Sequence, residues 1–268
     1  METGDFSRFR LFLSASVPAT SRSAEFLKEK NAQLRIEEAV MSLARTVFAH
    51  KGQLVFGGHP SISPLVATVA TEYAPFVSGS EEEINVISGM EGYSYGPGDN
   101  GFPPVVIYQS DIFRPIISPE TTQMLNSRAA FVRWTQKDPA ETLDHPTPVG
   151  PRFPESVKEM RECMMEDAPL DAMVAIGGME GIFDERRAFK IKYPDKPVFI
   201  FKSTGGASLN LAGDKYPKDS LDIFVEDKFG DESLAGKENS SLAPVYLSFA
   251  GELVNLVIRS NQQGKGFK

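Results

Sequence analysis

The sequence predicts a doubly wound α/β fold, a mostly parallel sheet with helices on both faces. Three observations predict it. Strand-like and helix-like segments alternate nearly throughout the 268 residues. Several strand segments are short, wholly apolar and β-branched, as strands covered on both faces are. Three of them end directly in glycine-rich turns. In such sheets ligands bind beyond the carboxyl ends of the strands, where strand order reverses.

Taken in order, Arg8–Ser14 reads as the first strand, ending in the small polar run Ser14-Ala15-Ser16 at the edge of a crevice. Residues 19–31 are polar and read as a loop with a short helix. Leu34–Ala49 is the clearest helix: Ile36, Ala39, Val40, Leu43, Ala44 and Val47 share one face. Lys51-Gly52 ends it. Gln53–Phe56 is a strand that enters Gly57-Gly58-His59-Pro60-Ser61. Ser61 and Ser63 are both candidate N-caps for the next helix, with Pro64 in its first turn. Glu83–Ser88 reads as a third strand and 89–104 as a long loop. Val105–Tyr108 is the fourth strand, Pro119–Ala130 a helix and Phe131–Thr135 a further strand.

Residues 137–154 carry five prolines and form a connector. Because the alternation resumes afterwards, the chain reads as one domain, 1–268, with 137–154 a surface excursion. Glu155–Met165 is a helix with Val157, Met160 and Met164 inward. Met173–Ile176 is a strand that passes through Gly177, Gly178 and Gly181 into a helix with Asp184 and Glu185 in its first turn. Pro197–Lys202 is the next strand and ends in Ser203-Thr204-Gly205-Gly206, the third glycine junction. Leu221–Val225 is the last strand. Residues 230–241 form a loop, and Ala243–Arg259 is a closing helix with Val245, Phe249, Leu253, Leu256 and Val257 as its apolar face.

Composition excludes several functions. A net charge of −8 gives no global attraction to nucleic acid or anionic membrane. One cysteine, Cys163, excludes an internal disulfide framework. No basic-then-apolar leader opens the chain, and no apolar run is long enough to span a bilayer. The expectation is a cytoplasmic protein. His50, His59, His145 and Cys163 show no metal-ligand spacing, and no cofactor motif stands out. Gly96–Gly101 matches a dinucleotide fingerprint by letter, but no strand precedes it correctly and Pro103-Pro104 follow where a helix should open. Trp134 suits either a core position or a stacked base, and Arg114 suits either a phosphate or an ion pair.

A strand that enters a helix through glycines brings amides and the positive end of a helix dipole to one point, which suits an anion. On that ground Gly57, Gly58, His59 and Ser61 form one candidate binding turn. Gly177, Gly178, Met179, Glu180 and Gly181 form a second. Thr204, Gly205 and Gly206 form a third, with Ser14 and Ser16 between. Asp184 or Glu185 can accept a sugar hydroxyl or assist departure of a base. The same acidic pair also suits a plain helix start.

The runs FGGHPSIS (56–63) and IGGMEG (176–181) resemble the SMF/DprA–LOG superfamily, SLOG. The resemblance implies a Rossmann-like domain for a nucleotide-derived ligand, ADP-ribose-like or a cyclic nucleotide derivative. It implies phosphate on the glycine turns and a frequent homodimer. LOG enzymes carry GG-x-GT-x-x-E, whose glutamate assists N-glycosidic cleavage of a nucleoside monophosphate, together with an upstream arginine. Here Glu180 is an extra residue before the third glycine, and Ile182 replaces the threonine. Glu185 is the better match for the glutamate and Asp184 the other register; the arginine has no assigned position. SLOG relatives without activity act as ligand sensors in nucleotide signalling and anti-phage systems. The resemblance is closer to that sensor-type branch, with a LOG-like phosphoribohydrolase using Glu185 as the alternative.

Overall fold

The computed structural model describes residues 9–18, 26, 31–73, 104–117, 130–142, 153–167, 169–213, 216–217, 219–230 and 245–263. Within them, seven strands form one sheet: β1 (Arg10–Ser16), β2 (Gln53–Gly57), β3 (Val105–Ser110), β4 (Ala130–Thr135), β5 (Ala172–Gly177), β6 (Val198–Phe201) and β7 (Asp222–Phe224). Every pairing is parallel, in the order β4-β3-β2-β1-β5-β6-β7. The predicted doubly wound α/β architecture is the one observed. Strand order runs outward in both directions from β1, so it reverses between β1 and β5.

Central strands are apolar on both sides because both sides are covered. Met173, Val174, Ala175 and Ile176 are all fully buried. One face carries α1 (Ala32–Ala49), α2 (Ser63–Tyr73) and α7 (Tyr246–Gln263), packed on Leu11, Leu13, Leu54 and Phe199. The other carries α3 (Pro154–Glu166), α4 (Gly181–Lys192) and the six-residue α5 (Gly206–Leu211), packed on Phe12, Val55, Met173 and Ile200. A further short helix, α6 (Val225–Phe229), follows β7. The six apolar positions that predict α1 are all fully buried.

Some boundaries differ from the sequence reading. The closing helix starts at Tyr246, and its buried face is Tyr246, Ala250, Leu253, Val254 and Val257. Val245 is 62% exposed. The face is turned about one residue because Tyr246 provides the larger buried surface and anchors its hydroxyl on Ser203. The strand expected at 83–88 and the loop at 89–103 lie outside the described residues, as do 119–129 of the expected helix; Ala130 belongs to β4. Trp134 is neither core nor free: the Arg114 guanidinium lies 3.7 Å above its ring while pairing with Asp111.

Part of the proline-rich excursion caps a helix. Glu141 accepts the amides of Glu155 at 2.9 Å and Ser156 at 3.0 Å, so it caps α3 from a distance in sequence. Burial pushes its carboxyl up, but the Ser156 hydroxyl and the two amides overcome this and hold it below its ordinary value. A depressed carboxyl contributes stability above its unfolded pKa and loses it as pH falls through the folded one. Glu141→Ala should therefore lower stability by about 1 kcal/mol at neutral pH. Urea midpoints that show no loss would remove the cap from the account.

Candidate functional site

The β1/β5 gap is where three remote segments meet. Ser16 and Gly177 are register partners at the strand ends. The Gly178 amide donates to the Ser16 carbonyl at 2.8 Å. From the other side, Thr204 Oγ1 accepts the Gly177 amide at 2.8 Å and donates to the Phe201 carbonyl at 2.6 Å. The Ala207 amide donates to the Gly178 carbonyl at 2.9 Å. From β2, Ser61 Oγ accepts the Val17 amide at 3.1 Å. The three glycine junctions and the end of β1 thus form one connected rim.

The geometry redistributes the roles that the sequence suggests. Gly177 and Gly178 take φ +62° and +75° and shape the turn, but their amides are occupied inside the protein. Among the described residues, no acceptor takes the amides of Met179, Glu180 and Gly181. These three stand at the start of α4, where the helix dipole favours an anion. Thr204 is fully buried, and Gly205 and Gly206 pack behind the β5 turn, so this junction braces the rim and does not face the crevice.

The β2 turn offers side chains, not amides. The Gly58 amide donates to the Tyr108 carbonyl and the His59 amide to Ser63 Oγ. The Ser61 amide donates to His59 Nδ1 at 3.2 Å, and the Ser61 hydroxyl lies 2.8 Å from the same nitrogen. A ring nitrogen that accepts an amide proton carries none itself, so the proton of neutral His59 belongs on Nε2. Ser61 and Ser63 therefore hold the turn and do not act as N-caps.

Glu185 and Asp184 differ sharply. Asp184 is exposed and pairs with Arg187 at 2.9 Å. Glu185 turns inward, with its side chain 18% exposed. Its Oε2 accepts the hydroxyl of the buried Ser14 in a short hydrogen bond, and its Oε1 lies 3.2 Å from Arg161 Nε. Arg161 also reaches Asp184 at 3.6 Å. A side chain on Gly181 would meet Arg161 Nη2 at 3.0 Å, so glycine there leaves the guanidinium room against the turn. The sequence alone does not assign the upstream arginine; the structure places Arg161, on α3, against Glu185. The available signal is its helical position, one residue beyond inward-facing Met160 and one turn before Met164.

Burial raises the Glu185 carboxyl above its ordinary value; Arg161 and Ser14 oppose the rise without cancelling it. A raised acid pKa contributes stability in full below the unfolded value and loses it as pH rises through the folded one. Thermal midpoints of the native chain should therefore fall relative to those of Glu185→Gln as pH rises from 4.5. A flat difference between the two curves contradicts this. Cys163 is no candidate nucleophile: burial first, then Glu159 and Asp167, push its thiol up to about 11. Among the described residues, no group of three or more His, Cys, Asp or Glu is arranged to hold a metal ion. None of their helices is long and apolar enough to cross a membrane. A groove of about 390 Å³ lies away from this site, along Ser220–Phe224 at the β7 edge.

Comparison with known proteins identifies the family. The model of the SLOG cluster3 family matches residues 25–80 and 102–227, and the chain belongs to that family. No curated protein matches the chain. Among solved structures, the X-ray structure of TM1055, a Northeast Structural Genomics Consortium target, is 14% identical, with a TM-score of 0.42. The alignment covers 81% of this chain and 90% of that one.

Proposed function

We propose that this SLOG-family chain binds a nucleotide-derived ligand, ADP-ribose-like or a cyclic nucleotide derivative, at the gap between β1 and β5. The observation that supports it is the juxtaposition of three acceptor-free amides, at Met179, Glu180 and Gly181, with the inward carboxylate of Glu185. A phosphate takes the amides and the positive end of α4. Glu185, oriented by Ser14 and Arg161, accepts a ribose hydroxyl. His59 and Ser61 line the β2 side, and Ser16 the end of β1. Such binding suits a cytoplasmic sensor in nucleotide signalling or anti-phage defence, acting as a homodimer.

A second reading, N-glycoside hydrolysis of a nucleotide, is favoured by the Arg161–Glu185–Ser14 arrangement. A buried carboxyl with a raised pKa is suited to proton transfer near neutral pH. Calorimetry with adenosine monophosphate, ADP-ribose and a cyclic dinucleotide, alongside chromatography for released base, tests both. In a sensor, Glu185→Gln weakens binding about tenfold or more and no base appears. In a hydrolase, the native chain releases base, and Glu185→Gln keeps affinity while turnover collapses. No heat and no product from any nucleotide would overturn both.

A further inference from the structure

The start of α4 holds more acid than the protein neutralises. Glu180, Asp184 and Glu185 stand close together in the chain. Arg161 lies against Glu185 and Asp184, and Arg187 against Asp184. Both guanidinium groups are therefore engaged by those two carboxylates. Glu180 is exposed, makes no capping hydrogen bond and pairs with no cation among the described residues.

The rest of the rim supplies no compensating charge. Residues 14–17, 57–63, 177–181 and 203–206 contain neither lysine nor arginine. Beside the third junction, Arg35 donates to the Ser203 carbonyl at 3.1 Å and Lys202 pairs with Asp227. A phosphate on the amides of Met179, Glu180 and Gly181 thus meets neutral donors and one uncompensated carboxylate. That carboxylate belongs to a residue whose own amide would hold the phosphate, so covalent geometry keeps the two charges within a side chain's length. Like charges that close repel even near a protein surface, in proportion to the charge on the ligand. A terminal phosphate monoester is close to a dianion at pH 8, its second pKa being about 6. A phosphate linked on both sides, as a diester or an anhydride, carries a single charge.

We propose that Glu180 is the specificity-determining residue of this site, and that its carboxylate disfavours a terminal monoester against a phosphate linked on both sides. The inference rests on the function proposed above, and it bears on the choice between the two readings. A nucleoside monophosphate ends in a dianion; ADP-ribose and cyclic nucleotides do not.

The test uses adenosine monophosphate and its methyl phosphodiester, which differ by the methyl group that removes one charge. In calorimetry at pH 8 the native chain should bind the methyl ester about fivefold or more tightly than the monoester. Glu180→Gln should tighten monoester binding about fivefold or more and leave the methyl ester within about twofold, closing the gap. An acid at a helix start also favours the helix, but that role moves the urea midpoint and not the ratio of the two affinities. A native chain that binds the monoester as tightly as the ester would overturn the proposal. So would a variant that shifts both probes equally, or neither. Heat from ADP-ribose alone would overturn it while the reading of a nucleotide-derived ligand stands. No heat from any of the three overturns both.

Discussion

Arg161→Ala should destabilise the protein by about 3 kcal/mol at pH 8 and by much less at pH 5. The substitution leaves Glu185 with the Ser14 hydroxyl but without the guanidinium beside it, on a side chain only 18% exposed. At pH 8 the isolated carboxylate must either stay charged in a poor solvent or take up a proton. At pH 5 the proton is readily available, and the penalty shrinks. Adding Glu185→Gln should restore most of the loss at pH 8, since no buried charge then remains to be matched. Urea denaturation of the two single variants and the double variant, at both pH values, completes the cycle. Equal losses at the two pH values, or no recovery in the double variant, would show that Arg161 contributes through packing alone.

Gly206→Ala should lower stability by about 3 kcal/mol. Gly206 has φ +60°, where an ordinary residue is strained by about 1–2 kcal/mol. A Cβ there would lie 2.5 Å from the Gly178 carbonyl oxygen and 2.8 Å from the Gly177 carbonyl carbon. Both are backbone atoms, which cannot swing aside as a flexible side chain does, and overpacking adds about 1–3 kcal/mol. Gly251 is the internal control. It lies in α7 with open space where a Cβ would project, so Gly251→Ala should stabilise by about 0.5–1 kcal/mol. Chemical denaturation of both variants reads the contrast. A Gly206→Ala protein as stable as the native one would mean that the β5 and β6 turns are not in the contact described.

What is legible in the sequence is periodic. Strands buried on both faces stand out as unbroken apolar runs, and α1 by its regular buried stripe. The glycine junctions are legible because a chain that turns sharply from strand to helix needs residues free of a Cβ at the bend. The allocation of amides is not legible. Nothing local says that the Gly177 N–H belongs to Thr204, 27 residues later, or that Gly178 donates to Ser16. Arg161 escapes assignment for the same reason. Its partner lies 24 residues away on another helix, and only the packing of α3 beside α4 brings them together. The sequence misplaces the face of α7 at Val245 because Val245 and Tyr246 are both apolar neighbours. Propensity does not choose between them; the contact of Tyr246 with Phe201 and its hydroxyl on Ser203 do.

The brace between Thr204 and Gly177 carries a consequence for biogenesis. A ribosome releases β1, β2 and β5 well before β6 and the residues after it. Until those later residues arrive, the loop after β5 has neither the hydroxyl that accepts its first amide nor the backbone that seals its rear. The rim at the β1/β5 gap is therefore a late product of synthesis, and a chain halted near Lys196 would carry every strand of the gap without the brace that completes its rim.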